Sequence, residues 1–157
     1  PETFNSNDHE EMIKINYLSM TYLIEGLLPQ FLAKNQGHII TVSSLAALLG
    51  FPRSTAYGAS KAAALNFTQC LQQDLAKTNI SVTSVLPGFV KTPLTDKNDF
   101  EMISVVSAEY AAKKISSDIA DQKIASTFPF FFSLFLHIIA SLPASIKHKI
   151  IYSTTKR

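Results

Sequence analysis

Tyr57 and Lys61 lie four residues apart in a segment whose pattern predicts a helix, so their side chains share one helical face. A phenol has an ordinary pKa of about 10 and keeps its proton at neutral pH. A lysine ammonium nearby favours the phenolate, so we expect the two side chains to act as a proton-transfer pair. Ser44 lies 13 residues before Tyr57, at the end of an apolar run. Its hydroxyl could donate a hydrogen bond to a carbonyl oxygen that gains negative charge.

These three residues together suit reduction of a ketone, or oxidation of an alcohol, with hydride supplied by a cofactor. The Tyr57–Lys61 spacing alone is weak evidence, because many helices carry such a pair on an exposed face. Ser44, the small-residue turn before Tyr57 and the later stretch "LPGFVKT" make a catalytic constellation the better interpretation.

The elements that must position these residues begin with a long helix. Asn7 or Asp8 with acidic residues after it predicts the helix start, and we expect the helix to run from about 8 to 34, bend near Pro29 and end at Gly37. Apolar residues at helical spacing cover one broad side of it. They are Ile13, Ile15, Leu18, Met20, Leu23, Ile24 and Leu27.

A strand–helix–strand unit follows. "HIITVS" predicts a buried strand, "STAYGASKAAALNFTQCLQQDLAKTN" a helix with a small-residue first half, and residues 80–86 a second strand closed by Pro87 and Gly88. Such a unit requires a parallel sheet, so the fold class is α/β. A third helix should open at Ser107, and "KIASTF" could form a short edge strand.

The apolar C-terminal extension, residues 124–157, should end the chain as two short helices. Its apolar part, residues 128–142, is shorter than the roughly 20 residues that a membrane-spanning helix needs. A buried or subunit-facing position is the favoured interpretation, and contact with a membrane surface is the minor alternative.

Composition narrows the function classes. Hydrophobic residues make up 46% of the 157 residues and charged residues 17%, which suggests extensive buried surface in one domain spanning residues 1–157. The net charge of +2 includes no run of like charges, so we expect no nucleic-acid partner. Cys70 is the single cysteine of the sequence, so an internal disulfide is excluded and a reducing compartment such as the cytoplasm is favoured. We expect Cys70 to be a small buried helix residue. The four histidines are too widely separated to suggest a metal site.

The chain resembles the short-chain dehydrogenase/reductase family over residues 10–120. The resemblance is carried by "YGASK" with Ser44 before it, by "IKINYLSMTYL" around Asn16, and by the "PG" element of "LPGFVKT". It implies a Rossmann-like doubly wound fold, of which this chain would be the C-terminal catalytic portion.

The resemblance also implies roles. Tyr57 would be the general acid or base, Lys61 would tune it and bind the nicotinamide ribose, Ser44 would orient the substrate carbonyl, and Asn16 would hold a water in the proton relay. As a second possibility, Asn16 is a polar helix residue bonded to backbone. Contacts to the nicotinamide of NAD or NADP would come from four residues after the second strand. They are Pro87, Gly88, Val90 and Thr92.

The chain departs from the family pattern in three places. The five glycines are never spaced as GxGxxG, so we expect the glycine-rich phosphate turn, and the strands around it, to precede residue 1. Thr83 replaces a common Asn. The tail after residue 127 would replace the family's final strand region. Because the missing turn normally receives the pyrophosphate, we expect weak or absent cofactor binding by this chain.

The leading hypothesis is therefore an NAD(P)-dependent oxidoreductase that interconverts a small-molecule carbonyl and an alcohol. The alternative is a truncated, non-catalytic partner subunit. Relatives commonly form dimers or tetramers through two long helices, so we expect a homo-oligomer. A truncated sheet would also leave one side of residues 39–43 unpaired.

Overall fold

A computed structural model describes residues 4–97 and 100–154. Among these residues, three strands form the sheet: β1 (Gly37–Val42), β2 (Ile80–Pro87) and β3 (Ala125–Phe128). The helices are α1 (Ser6–Ile13), α2 (Ser19–Lys34), α3 (Thr55–Asp74), α4 (Ala108–Ala120), α5 (Phe130–Ser141) and α6 (Ala144–Thr154). Short 3-10 turns cover Leu45–Ala47 and Thr95–Lys97.

The sheet is parallel, with strand order β1-β2-β3. Ile39 of β1 pairs with Val82 of β2, and both pack against α2 and α3 on one face. Val85 lies an odd number of residues from Val82, so its side chain points to the other face, where it packs with Ala111 of α4. Helices therefore cover both faces, which confirms the predicted α/β Rossmann-like architecture.

The predicted long first helix is interrupted. A π-helical turn, Lys14–Leu18, separates α1 from α2. The helix starts after Asn5, whose side chain accepts the Asn7 N–H, rather than at Asn7 or Asp8. It ends at Asn35 in the left-handed conformation, φ 44°, because asparagine tolerates that geometry. The prediction that Gly37 stops the helix is wrong: Gly37 opens β1.

β1 is an edge strand within the described residues, as the sequence predicts. Ile40 and Val42 of β1 point to the same face of the sheet as Val85, which α4 covers. They nevertheless remain 39% and 55% exposed. An exposed apolar edge of this kind is a site for pairing with another strand or chain.

The C-terminal extension begins with a strand. β3 pairs with β2 in parallel at one edge of the sheet, which confirms the short edge strand predicted from "KIASTF". The two helices after it, α5 and α6, agree with the prediction. Within residues 4–97 and 100–154, none of the helices is both long and apolar enough to cross a bilayer. Cys70 is exposed on α3, which corrects its predicted burial.

Candidate active site

Lys61 anchors one turn of α3 to the carboxyl end of β1. Its ammonium Nζ donates a hydrogen bond to the Val42 carbonyl at 3.0 Å, and the Ser43 hydroxyl donates to the Lys61 carbonyl at 2.7 Å. The side chain is half-buried. Burial lowers the pKa of Lys61 because desolvation penalises the ammonium form. The ammonium has three protons, of which Val42 accepts one, so it retains donor capacity for a ligand.

Tyr57 lies one helical turn before Lys61 and is 38% exposed. The Lys61 Nζ is 5.8 Å from the centre of its ring, within the range of a cation–π contact. The structure thus brings together the two residues that the sequence pairs. The phenol faces accessible space, as a group that exchanges a proton with a substrate requires.

Ser44 directly follows Ser43, whose hydroxyl bonds to the Lys61 carbonyl. Its oxygen accepts the Ala46 N–H at 3.1 Å, which caps the short turn Leu45–Ala47. Its hydroxyl proton points to the Pro87 carbonyl at 3.4 Å, a long and therefore weak hydrogen bond. The oxygen is fixed while the proton is loosely held, so Ser44 can redirect it to an incoming carbonyl oxygen.

Asn16 occupies the middle of the π-helical turn. Such turns are rare insertions that often mark functional positions. Its amide Nδ2 donates to the Ser60 hydroxyl at 3.0 Å and approaches the Met12 sulfur at 3.6 Å. These contacts join the first helix to α3. The bond to a side chain differs from the backbone bond that the second interpretation of Asn16 expects.

The segment after β2 is tightly held. Pro87 ends the strand and accepts the Ser44 bond, and the Gly88 N–H donates to the Phe128 carbonyl at 2.7 Å. Val90 forms an isolated parallel bridge with Val106. Thr92 donates its N–H to the Thr95 hydroxyl at 2.9 Å. This loop therefore leaves the sheet on the side where Ser44 lies, with its backbone largely fixed.

Ser60 was missed by the sequence reasoning. It is fully buried, accepts the Asn16 amide and donates to the Tyr57 carbonyl at 2.8 Å. A serine three residues after Tyr57 can bond back to that carbonyl on any helix, which is a local signal. Its pairing with Asn16, 44 residues earlier, leaves no such signal.

The described residues fit one end of a dinucleotide. The Lys61 ammonium, with protons to spare, lies at the carboxyl end of β1, and the loop after β2 begins at the carboxyl end of the neighbouring strand. This is the edge where open α/β sheets bind ligands. The glycines of the chain do not form the spacing that cradles a pyrophosphate. In the part of the chain that the structure describes, no three His, Cys, Asp or Glu residues are grouped to hold a metal.

Comparison with known proteins gives the same fold. The structure resembles a short chain dehydrogenase from Burkholderia cenocepacia in complex with NADP, with a TM-score of 0.81 and 21% identity over 96% of this chain and 61% of that one. It also resembles a 4-hydroxyisoleucine dehydrogenase mutant complexed with NADH and succinate, with a TM-score of 0.65 and 22% identity over 76% of this chain and 55% of that one.

Sequence relatives match part of the chain. An uncharacterized oxidoreductase of Staphylococcus saprophyticus is 43% identical over 91 residues, which make up 58% of this chain and 39% of that protein. The chain thus matches less than half the length of this curated relative. The family model for short chain dehydrogenases matches residues 2–102, well over half of the sequence. The chain belongs to the short-chain dehydrogenase family.

Proposed function

We propose that the chain carries the catalytic residues of an NAD(P)-dependent oxidoreductase that interconverts a carbonyl and an alcohol. The observation that supports this best is the attachment of Lys61 to the end of β1, which positions the ammonium beside the ring of Tyr57. Membership of an oxidoreductase family agrees with it.

In the reductive direction, the substrate carbonyl oxygen would accept hydrogen bonds from Ser44 and Tyr57. The weak Ser44–Pro87 bond is exchanged for a bond to that oxygen, while the Ala46 N–H keeps the serine oxygen in place. As negative charge develops on the substrate oxygen, Ser44 stabilises it and Tyr57 transfers its phenolic proton to it. A bound nicotinamide dinucleotide would supply the hydride.

Lys61 would serve both the tyrosine and the cofactor. Its positive charge favours the phenolate that Tyr57 becomes after proton transfer. Its remaining protons can bind ribose hydroxyls, as the family resemblance implies, and the loop containing Pro87, Gly88, Val90 and Thr92 would contact the nicotinamide. Asn16 would support the relay through Ser60, and its amide oxygen could hold a water.

A binding experiment tests this function. The chain is titrated with NADH and with NADPH up to millimolar concentration, while nicotinamide fluorescence and the melting temperature of the protein are followed. We expect weak saturable binding of at least one of the two, and turnover of a ketone in a panel of carbonyl compounds. Unchanged fluorescence and melting temperature with both would instead support the non-catalytic partner subunit.

The proposal includes self-association through the long helices. On α2, Leu23 and Leu27 are 67% and 48% exposed, although their spacing places them on the apolar side of the helix. A second copy could cover this surface. Sedimentation should show an oligomer in the parent and a smaller species in the double variant Leu23→Ser, Leu27→Ser. A parent that is monomeric at high concentration contradicts this part.

A further inference from the structure

We propose that α5 lies flat on the surface of an anionic membrane. The contact surface is the α5 stripe, defined as Phe131, Leu134, Phe135 and Ile138. These residues are 83%, 47%, 53% and 54% exposed, respectively. Four large apolar side chains on the open side of one helix form a patch of the kind that marks an interaction surface.

The orientation of α5 is fixed by its opposite side. Leu136 and Ile139 are 3% and 4% exposed, and they pack in a core cluster with Leu45 and Leu86. Phe131, Phe135 and Ile138 follow the i, i+4, i+7 spacing of one helical face, so they point away from that core together. The stripe therefore stays exposed while the helix remains packed on the protein.

The length of α5 decides how it would meet a bilayer. A helix of 12 residues is about 18 Å long, whereas the hydrocarbon core of a bilayer is about 30 Å thick. The helix cannot span that thickness. An apolar face on a short helix suits a position parallel to the membrane, with the side chains inserted at the headgroup boundary.

Charge favours an anionic lipid surface as the partner. Residues 122–157 contain five Lys or Arg and no Asp or Glu, whereas residues 1–121 contain all 12 acidic residues against nine Lys or Arg. Lys123 pairs with Asp118, so its charge is compensated. On α6, Lys149 is exposed, and the Lys147 ammonium lies at the end of α5, where it donates to the Ala140 carbonyl at 3.1 Å. Basic residues in the segment that carries the apolar stripe are attracted to anionic headgroups.

A second copy of the chain is a less suitable partner for the stripe. A symmetric dimer uses the same surface of both copies, so it would bring two segments of net positive charge together. Like charges across an interface oppose association, particularly at low salt. A negatively charged bilayer meets the same segment with the opposite sign.

Flotation of the chain with lipid vesicles tests the proposal. Vesicles of phosphatidylcholine alone are compared with vesicles of phosphatidylcholine and phosphatidylserine in a density gradient, where bound protein rises and aggregated protein sinks. We expect flotation with the anionic vesicles, weakened by added salt. The double variant Phe131→Ser, Phe135→Ser should lower the partition coefficient by about tenfold or more, because two phenyl rings no longer enter the lipid.

The matched control is the double variant Ile103→Ser, Val105→Ser, which removes two exposed apolar side chains from the segment before α4 instead. It should float like the parent. Melting temperatures check that each variant folds. The proposal is overturned if the parent sinks in every gradient, if both double variants lose flotation equally, or if neutral and anionic vesicles bind alike. It is also overturned if the stripe variant changes only the oligomeric state measured by sedimentation.

Discussion

Asn16 donates a hydrogen bond of 3.0 Å to the hydroxyl of Ser60, and this bond connects the π-helical turn to the buried side of α3. The same hydroxyl donates to the Tyr57 carbonyl at 2.8 Å. Two steps therefore link a polar residue of the first helix to the backbone of the proposed proton donor. The arrangement fixes the position of Tyr57 along α3 relative to the first helix.

Ser60→Ala tests this link. The substitution removes the acceptor of the Asn16 amide in a fully buried place, so it should lower the free energy of unfolding by about 1–3 kcal/mol. Denaturant titration measures the change. Ser141→Ala is the control, because its exposed hydroxyl bonds to a carbonyl of its own helix and its loss should have little effect. Equal effects of the two substitutions would show that the Asn16–Ser60 bond has no special importance.

Lys61→Ala should weaken binding of the nicotinamide cofactor by about tenfold or more, because a charge-assisted hydrogen bond is lost. Burial lowers the pKa of Lys61. In the parent, affinity should therefore fall as the pH rises through a value below the ordinary 10.5. Fluorescence titration measures both effects, with the exposed Lys77→Ala as control. An unchanged dissociation constant in Lys61→Ala would remove the cofactor role of this residue.

Gly88 and Gly26 make a matched pair for testing the packing of the loop after β2. A Cβ at Gly88 would lie 3.1 Å from the Pro129 Cδ and 3.3 Å from the Phe128 carbonyl oxygen, whereas a Cβ at Gly26 would meet nothing within 4 Å. Gly88→Ala should cost about 1–3 kcal/mol of unfolding free energy because the loop must shift. Gly26→Ala, inside α2, should instead add about 0.5–1 kcal/mol. Thermal melts of both variants check the opposite signs.

Asp118 should make the protein less stable in acid. Burial alone would raise the pKa of its carboxyl, but hydrogen bonds from Lys114, Lys123 and Ser126 outweigh it and lower the pKa to about 2. The folded-state pKa thus lies below the ordinary 3.8. The carboxylate contributes about 2 kcal/mol above that value, and this contribution is lost as the pH falls from 3.8 towards about 2.

Unfolding free energies of Asp118→Asn across this pH range test the carboxylate. At neutral pH the variant should be less stable than the parent, and its stability should depend less on pH in the acid range. Asp121→Asn removes an exposed carboxylate near the same lysine and serves as control. If the parent and Asp118→Asn lose stability in parallel as the pH falls, Asp118 is not the group that titrates.

Much of the architecture could be predicted from the sequence. β-branched runs mark β1 and β2, and turn residues mark the limits of these strands and of the crossover helix between them. The serine cap at Ser107 is a local signal and was predicted correctly. The π-helical turn was not, since the apolar spacing of Ile13 to Leu27 continues through it at the ordinary helical period. Periodicity also shows which side of a helix is apolar but not what covers it, so the exposure of Leu23 could not be deduced.

At the candidate site, the sequence predicted the pairing of Tyr57 with Lys61, because four-residue spacing on a helix determines it. The contact of Lys61 with the Val42 carbonyl depends on how α3 packs on β1, and the bond between Asn16 and Ser60 depends on two helices far apart in the chain. Such long-range contacts have no local pattern. The roles of these residues in catalysis remain predictions that activity measurements must test.

The most direct test of the central claim compares turnover of a carbonyl substrate by the parent and by Tyr57→Phe, at saturating NADH or NADPH. The variant keeps the aromatic ring and loses only the phenolic hydroxyl, so the melting temperature should be unchanged. We expect the rate to fall by about a hundredfold or more, since the proton donor is removed. Equal rates for the two proteins would contradict the assignment of Tyr57 as general acid or base.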